Sequence, residues 1–211
     1  MLFRASFLVA AVWWATSAQA QQVASYEPAQ RSQGANAYIN VLAQARAPIG
    51  WMQFCNMSPR ECQTTDSNET ASLTKVKAKE LDRINRLVNS QITPITDADH
   101  FGVTEKWSYP DDNKGDCEDY VLLKRQKLIE LGWPASSLLI TVVRDLKNEG
   151  HAVLTAHTTM GDLILDNVHD DIRAWHETGY KFVKRQSQHD VNAWVSLTDQ
   201  VGTDQAVAAQ R

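Results

Sequence analysis

The chain has 211 residues, a net charge of −4 at pH 7 and 43% hydrophobic residues. The acidic balance argues against a nucleic-acid-binding protein, which usually presents a basic face. The length suits a single domain with a sizeable core.

Residues 1–20, MLFRASFLVAAVWWATSAQA, have the features of a cleavable export signal. Arg4 precedes an apolar run that ends near Trp14, and residues 18–20 form the A-x-A pattern of a signal-peptidase site. The alternative is a membrane anchor, but the run is shorter than the roughly 20 residues that a spanning helix needs. We therefore expect a signal peptide over 1–20, a flexible leader over 21–36, and an exported protein that is not embedded in a membrane after cleavage.

Three cysteines in an exported chain leave one without a partner. Cys55 and Cys62, in FCNMSPREC, can close a small disulfide loop in an oxidising compartment. Two free structural thiols are the alternative for this pair. Cys117 is the cysteine left over.

Two helices are predicted from apolar residues that recur every three or four positions. The first is ended by Pro94, and the second begins at Asp116 or Cys117 and stops at Gly132, before Pro134. The expected core-facing residues are Leu73, Val76, Leu81, Ile84, Leu87, Val88 and Ile92 in the first helix and Val121, Leu122, Leu128 and Ile129 in the second.

Two further segments lack a clear period. Residues 38–54, broken by Pro48 and Gly50, are expected to be irregular or extended around Trp51, and residues 96–115 are expected to form a loop.

After Gly132 the apolar period changes to two. SSLLITVVRD, HAVLTAHT, DLILDNV and YKFVKRQS are predicted strands. Helices that precede strands indicate an α+β protein with an antiparallel sheet. We expect one domain over residues 37–197 and a flexible tail over 198–211.

Cys117 lies in the stretch NKGDCEDYVLLKRQKL, at the predicted start of the second helix. Unpaired N–H groups and the dipole at a helix start stabilise a thiolate, whereas the flanking Asp116, Glu118 and Asp119 oppose it. Cysteine peptidases combine a helix-start cysteine with a histidine base and a carboxylate or amide that orients the histidine.

His151 and Asp166 are the predicted partners of Cys117. His151 opens a strand after the KNEG turn, and Asp166 lies in an apolar strand where burial without a partner would be costly. An even-numbered hairpin loop keeps the two on one sheet face as diagonal neighbours. His157 shares that face but lies at the turn end, so it is the second candidate. A buried apolar cysteine and a merely solvated histidine are the alternative interpretations.

The motifs GDCEDYVLLKR, GHAVLT and GDLILDN resemble the bacterial transglutaminase-like cysteine proteinases of the LapG type. The resemblance runs from roughly Trp51 to Leu197. It implies a papain-like, transglutaminase-like fold in which a helix-borne cysteine packs on an antiparallel sheet. It also implies that Cys117 is the nucleophile, His151 the base and Asp166 the residue that orients it.

The resemblance further implies calcium, bound by Asp116 and Glu118 with Asp119 as an additional candidate ligand. A cation there would offset the carboxylates that disfavour the thiolate, and oxygen ligands suit calcium. Acids that simply cap a helix are the alternative. The implied location is the periplasm, the implied substrate is a large surface adhesin that controls biofilm attachment, and the implied regulator is an inner-membrane receptor responsive to a cyclic dinucleotide.

Two other functions fit the same residues. The triad can transfer an acyl group to an amine, as in a transglutaminase or amidase, because an amine as well as water resolves a thioacyl intermediate. A non-catalytic, calcium-responsive binding module is the second. For the oxyanion, the N–H of Cys117 is the natural donor, and Trp107 is set aside as a packing residue.

Overall fold

The computed structural model describes residues 37–64 and 68–198, which all belong to the unit that spans residues 33–211. The predicted signal peptide and leader, and the tail beyond residue 198, lie outside the described residues. No helix in the described ranges is long and apolar enough to cross a membrane.

Four α-helices occur in the described residues, and short 3-10 turns follow α1 and α4. The α-helices are α1 (Ile49–Met57), α2 (Lys75–Gln91), α3 (Asp97–Phe101) and α4 (Cys117–Glu130).

A seven-stranded antiparallel sheet has the order β1-β9-β8-β4-β5-β6-β7, and β2 and β3 form a separate parallel pair. The strands are β1 (Asn40–Ala45), β2 (Thr93–Pro94), β3 (Lys114–Gly115), β4 (Leu138–Arg144), β5 (Gly150–Thr158), β6 (Gly161–Leu165), β7 (Arg173–Ala174), β8 (Lys181–Gln186) and β9 (Trp194–Thr198).

The four predicted strands correspond to β4, β5, β6 and β8, and both predicted helices are present as α2 and α4. Residues 38–54 were expected to be irregular or extended: strand β1 is extended, but the expectation is wrong around Trp51, which lies in helix α1. The loop expected over 96–115 contains the short helix α3. The predicted tail begins one residue too early, because Thr198 still pairs with Asn40.

Helix α2 begins where the side chain of Thr74 accepts a hydrogen bond from the N–H of Lys77. Of its predicted core residues, Leu81, Ile84 and Val88 are buried, whereas Val76 is 65% exposed. The apolar stripe therefore begins after the first turn of the helix.

The sheet divides the apolar core in two. Helices α2 and α4 pack on each other, and α4 packs on β4 and β5. Ala152 and Leu154 of β5 join this helical cluster, while Val153 joins a second cluster with Trp175 and Phe182. The alternation is the period of two expected of a strand that is buried on both faces.

The β5–β6 hairpin has the predicted even register. His157 lies opposite Asp162, and Thr158 lies opposite Gly161. Gly161 has φ +119°, a backbone conformation that favours glycine. The side chains of His151 and Asp166 are consequently brought to the same end of the hairpin.

Candidate active site

Cys117 is the first residue of α4 and lies against the open edge of β5. Strand β6 ends at Leu165, opposite Leu154, so residues 150–153 of β5 have no β6 partner. The backbone N–H of Ala152 instead donates to Cys117 Sγ, with N and Sγ 3.4 Å apart. The sulfur is thereby held beside the residue that follows His151 in the chain.

His151 is hydrogen-bonded to a buried carboxylate. Its Nε2 lies 2.9 Å from Oδ1 of Asp166, which is 3% exposed. The hydroxyl of Tyr180 donates to Oδ2 of Asp166 at 2.6 Å, and the N–H of Val168 donates to Oδ1 at 3.0 Å. This pairing leaves Nδ1 as the ring nitrogen that Asp166 does not engage.

The surroundings keep Asp166 ionised. Burial alone would raise its pKa, but the hydrogen bonds from His151, Tyr180 and Val168 outweigh it and lower the pKa to about 2. A carboxylate that stays charged at neutral pH can stabilise a positively charged imidazole beside it.

The surroundings of the Cys117 thiol, in contrast, favour its uncharged form. Its Sγ donates to Glu118 Oε2 at 3.2 Å. Burial and then the charge of Glu118 raise the pKa of the Cys117 thiol well above its ordinary value, against the smaller lowering by the N–H of Ala152. Burial and the flanking acids therefore disfavour the thiolate, and a nearby positive charge would be needed to favour it.

Three carboxylates form a cluster next to the cysteine. Asp97, Asp116 and Glu118 each offer an oxygen, and these oxygens lie within 4.8 Å of one another. Asp116 Oδ1 is buried and has no hydrogen-bond partner among the described residues. Burial and the charge of Asp116 raise the pKa of Glu118 to about 9. An arrangement of buried, adjacent oxygen donors is unfavourable alone and suits a hard divalent cation.

A groove of about 330 Å³ borders both the sulfur and the acid cluster. Its walls come from the β2–α3 connection, the start of α4 and the loop after β6. The lining residues include Ile95, Thr96, Asp99, Asp116, Cys117 and Asn167. Cys117 is one of the lining residues, so a molecule bound in the groove would lie beside its side chain.

A sequence model of the bacterial transglutaminase-like cysteine proteinases (BTLCP) matches residues 41–201. The chain belongs to this family. It is therefore a cysteine peptidase with a transglutaminase-like fold, and the predicted family, fold class and enzyme class are confirmed.

One of the solved structures that are similar to the chain agrees with this assignment. Calcium-bound LapG of Legionella pneumophila is 26% identical, covers 64% of this chain and 76% of its own, and has a TM-score of 0.50. Two further LapG structures from that organism are also similar. One is 29% identical and covers 54% of this chain and 65% of its own, with a TM-score of 0.46. The other, EGTA-treated, is 30% identical and covers 54% of this chain and 64% of its own, also with a TM-score of 0.46. No curated protein matches the chain.

In this cysteine proteinase, the structure places the predicted site residues Cys117, His151 and Asp166 at one end of the β5–β6 hairpin. Asp116 and Glu118 lie together in the acid cluster. Sequence reasoning missed Asp97, because a short helix far from α4 in the chain carries no periodic signal. Tyr180 was missed as a site residue because it was predicted only as the first residue of the strand YKFVKRQS; it lies just before β8.

Asp119 is not part of the acid cluster in the described residues. It is fully buried, and its Oδ1 accepts the N–H of Ser108 at 2.8 Å. Burial raises the pKa of Asp119 to about 7. Asp119 therefore holds the loop before α4 in place.

Two other residues considered from the sequence have structural partners. Trp107 donates its indole N–H to Glu105 Oε1 at 2.6 Å and is buried. His157 Nδ1 lies 2.6 Å from Asp162 Oδ1, and Oδ2 of the same aspartate binds Arg185. His157 and Asp162 thus tie the turn end of the hairpin to β8.

Proposed function

We propose that the protein is an exported cysteine endopeptidase in which Cys117 is the nucleophile, His151 the general base and Asp166 the residue that orients the base. One observation carries the proposal. The 2.9 Å contact between His151 Nε2 and Asp166 Oδ1 lies at the strand end where Ala152 donates to Cys117 Sγ.

The chemistry follows from these positions. His151 accepts the thiol proton through Nδ1, and the sulfur attacks the carbonyl carbon of the scissile peptide bond. The imidazolium then gives that proton to the leaving amine, and water cleaves the resulting thioester to regenerate the thiol. Asp166 stabilises the imidazolium throughout. The N–H of Cys117, free at the start of α4, serves as an oxyanion donor.

Asp97, Asp116 and Glu118 fit a calcium ion. Their oxygens are within 4.8 Å of one another, and Asp116 Oδ1 has no other partner in the described part of the chain. Bound calcium would supply a positive field that offsets the acids beside the sulfur. The calcium-bound form of the Legionella relative supports this choice of ion.

We further propose that residues 1–20 are a signal peptide and 21–36 a leader, and that the mature protein is periplasmic. In this proposal the peptidase domain extends from residue 37 to 198, where β9 ends, and a tail follows over 199–211. The Cys55–Cys62 disulfide fits an oxidising compartment. The motif resemblance supports a large surface adhesin as substrate, so that cleavage alters biofilm attachment, and an inner-membrane receptor responsive to a cyclic dinucleotide as regulator.

The test is cleavage of exported adhesin fragments by the purified mature chain, with and without chelator. The Cys117→Ala variant should fold like the parent and leave the fragments intact, because no other described residue can form the thioester. The variant differs from the parent only by the missing Sγ of Cys117. Persistent cleavage by the folded variant would therefore refute the proposal.

A further inference from the structure

Asn167 is a polar residue of the groove that the triad does not use. It follows Asp166 at the end of the GDLILDN motif and lines the groove together with Cys117. Its side chain is half-buried. The assignment of the triad explains the aspartate of this motif and leaves the asparagine without a role.

The side-chain amide of Asn167 has no partner within the described part of the chain. Its Oδ1 is enclosed and accepts no hydrogen bond there. Its Nδ2 makes no hydrogen bond to a described residue either, but it is not among the enclosed atoms. An amide nitrogen carries two N–H donors. Nδ2 is therefore the end of the amide that a molecule in the groove can reach.

Other polar side chains in the wall of the groove already have partners or carry negative charge. The hydroxyl of Thr96 donates to Asp99 Oδ2 at 2.9 Å and accepts the N–H of Asp99 at 3.2 Å. Asp116 Oδ2 accepts the N–H of Asp97 at 3.2 Å. The charges of Asp99 and Asp116 would repel a carboxylate that entered the groove. A neutral carbonyl oxygen is therefore the acceptor that fits the amide of Asn167.

The backbone on both sides of Asn167 is held by helix α2. Asn89 Nδ2 donates to the backbone oxygen of Asp166, and Asn85 Nδ2 donates to the backbone oxygen of His169, both at 2.9 Å. The loop is thus fixed before a ligand arrives. A donor on a fixed loop loses less conformational entropy on binding than one on a loop that must first be ordered.

We propose that Asn167 is a substrate-binding residue whose Nδ2 donates a hydrogen bond to a backbone carbonyl oxygen of the peptide that lies beside Cys117. Every peptide has such carbonyls, so this bond holds the substrate chain in the groove without selecting its side chains. The inference rests on the proposed endopeptidase function and adds a substrate contact to it.

The first test measures cleavage of an exported adhesin fragment by the parent, Asn167→Ala and Gln91→Ala. Gln91 is the matched control, an exposed amide at the end of α2 that does not line the groove. Asn167→Ala should raise KM roughly fivefold with kcat unchanged, because it removes one hydrogen bond that substrate and transition state share. Alkylation of Cys117 by iodoacetamide should keep its rate in this variant, since Asn167 contacts the substrate and not the sulfur. Gln91→Ala should match the parent in KM.

The second test needs no substitution at Asn167, so it also serves if Asn167→Ala does not fold. The side-chain N–H resonances of Asn167 are followed in ¹⁵N-labelled Cys117→Ala while the same fragment is added, and they should shift. Unshifted resonances at the highest fragment concentration would overturn the proposal. So would an unchanged KM or a slower alkylation in folded Asn167→Ala, or an equal rise of KM in Gln91→Ala.

The two tests separate this contact from the proposed function. If the parent leaves the fragment intact while the Asn167 resonances shift, the endopeptidase function is refuted and the contact stands. If the parent cleaves the fragment while KM and the resonances are unaffected at Asn167, the function stands and the contact is refuted.

Discussion

The catalytic assignment depends at the residue scale on how Asp166 is held. Three donors surround this carboxylate: the ring of His151, the hydroxyl of Tyr180 and the N–H of Val168. The parity of the hairpin predicted the first of these. The other two depend on how the chain turns after β6, and no local pattern in the sequence encodes that path.

Tyr180→Phe should destabilise the protein by about 1–2 kcal/mol at neutral pH, because it removes one charge-assisted hydrogen bond. The pKa of Asp166 is lowered in the folded state to about 2, so the carboxylate contributes stability above its unfolded pKa of 3.8 and loses it as the pH falls through 2. The difference between variant and parent should therefore shrink below pH 4. Urea unfolding from pH 7 to pH 2 measures it, and equal stability at pH 7 would contradict the expected bond.

Lys124 should give the free energy of unfolding a second dependence on pH, of the same sign but in a higher pH range. Burial lowers its pKa from 10.5 to about 7, against the raising effect of Asp166 and Asp170. Between these values the unfolded chain binds a proton that the folded chain does not, so this residue makes stability rise with pH.

The free energy of unfolding of the parent minus that of Lys124→Met should therefore increase from pH 7 to pH 10. Urea unfolding at several pH values in this range provides the measurement. A difference that stays flat or falls would mean that the folded protein keeps the amine charged.

At the scale of elements, helix α4 and the β5–β6 hairpin were predictable because their signals are local. Apolar residues at helical spacing and a terminating glycine define α4, and strand parity with a short turn sets the hairpin register. The pairing of β1 with β9 was not predicted, because β9 lies at the other end of the domain in sequence. Asp97 was missed because the pairing of β2 with β3 sets the position of α3 beside α4.

The contact between α1 and the loop before α4 can be tested at Gly50. A Cβ on Gly50 would lie 2.3 Å from Cδ1 of Trp107, a side chain that is buried. Gly50→Ala should cost about 1–3 kcal/mol of stability through overpacking. Gly150→Ala is the matched control, because a Cβ there has nothing within 4 Å. Chemical denaturation of both variants measures the effect, and equal stability would mean that the Trp107 loop moves aside freely.

Calcium should stabilise the folded protein as a whole, because the acid cluster joins the start of α4 to helix α3. A ligand that binds only the folded state stabilises it by about 2.7 kcal/mol at a hundred times its dissociation constant. Calcium should raise the unfolding temperature of the parent, and a chelator should reverse the shift.

Asp97→Asn should lose most of that calcium shift, whereas Asp99→Asn should keep it. Both residues lie on α3, but only Asp97 belongs to the acid cluster. Thermal unfolding with calcium and with chelator makes the comparison. Equal shifts in the two variants would exclude Asp97 as a ligand.

The most direct measurement of the central claim is the rate at which iodoacetamide alkylates Cys117 in calcium, compared between His151→Ala and His157→Ala. Both histidines lie on β5 and pair with an aspartate, but only His151 adjoins the residue whose N–H contacts the sulfur. His151→Ala should slow alkylation by roughly a hundredfold, in the range of a lost general base, and His157→Ala should react like the parent. An unchanged rate in His151→Ala, or an equal loss in both variants, would contradict the role assigned to His151.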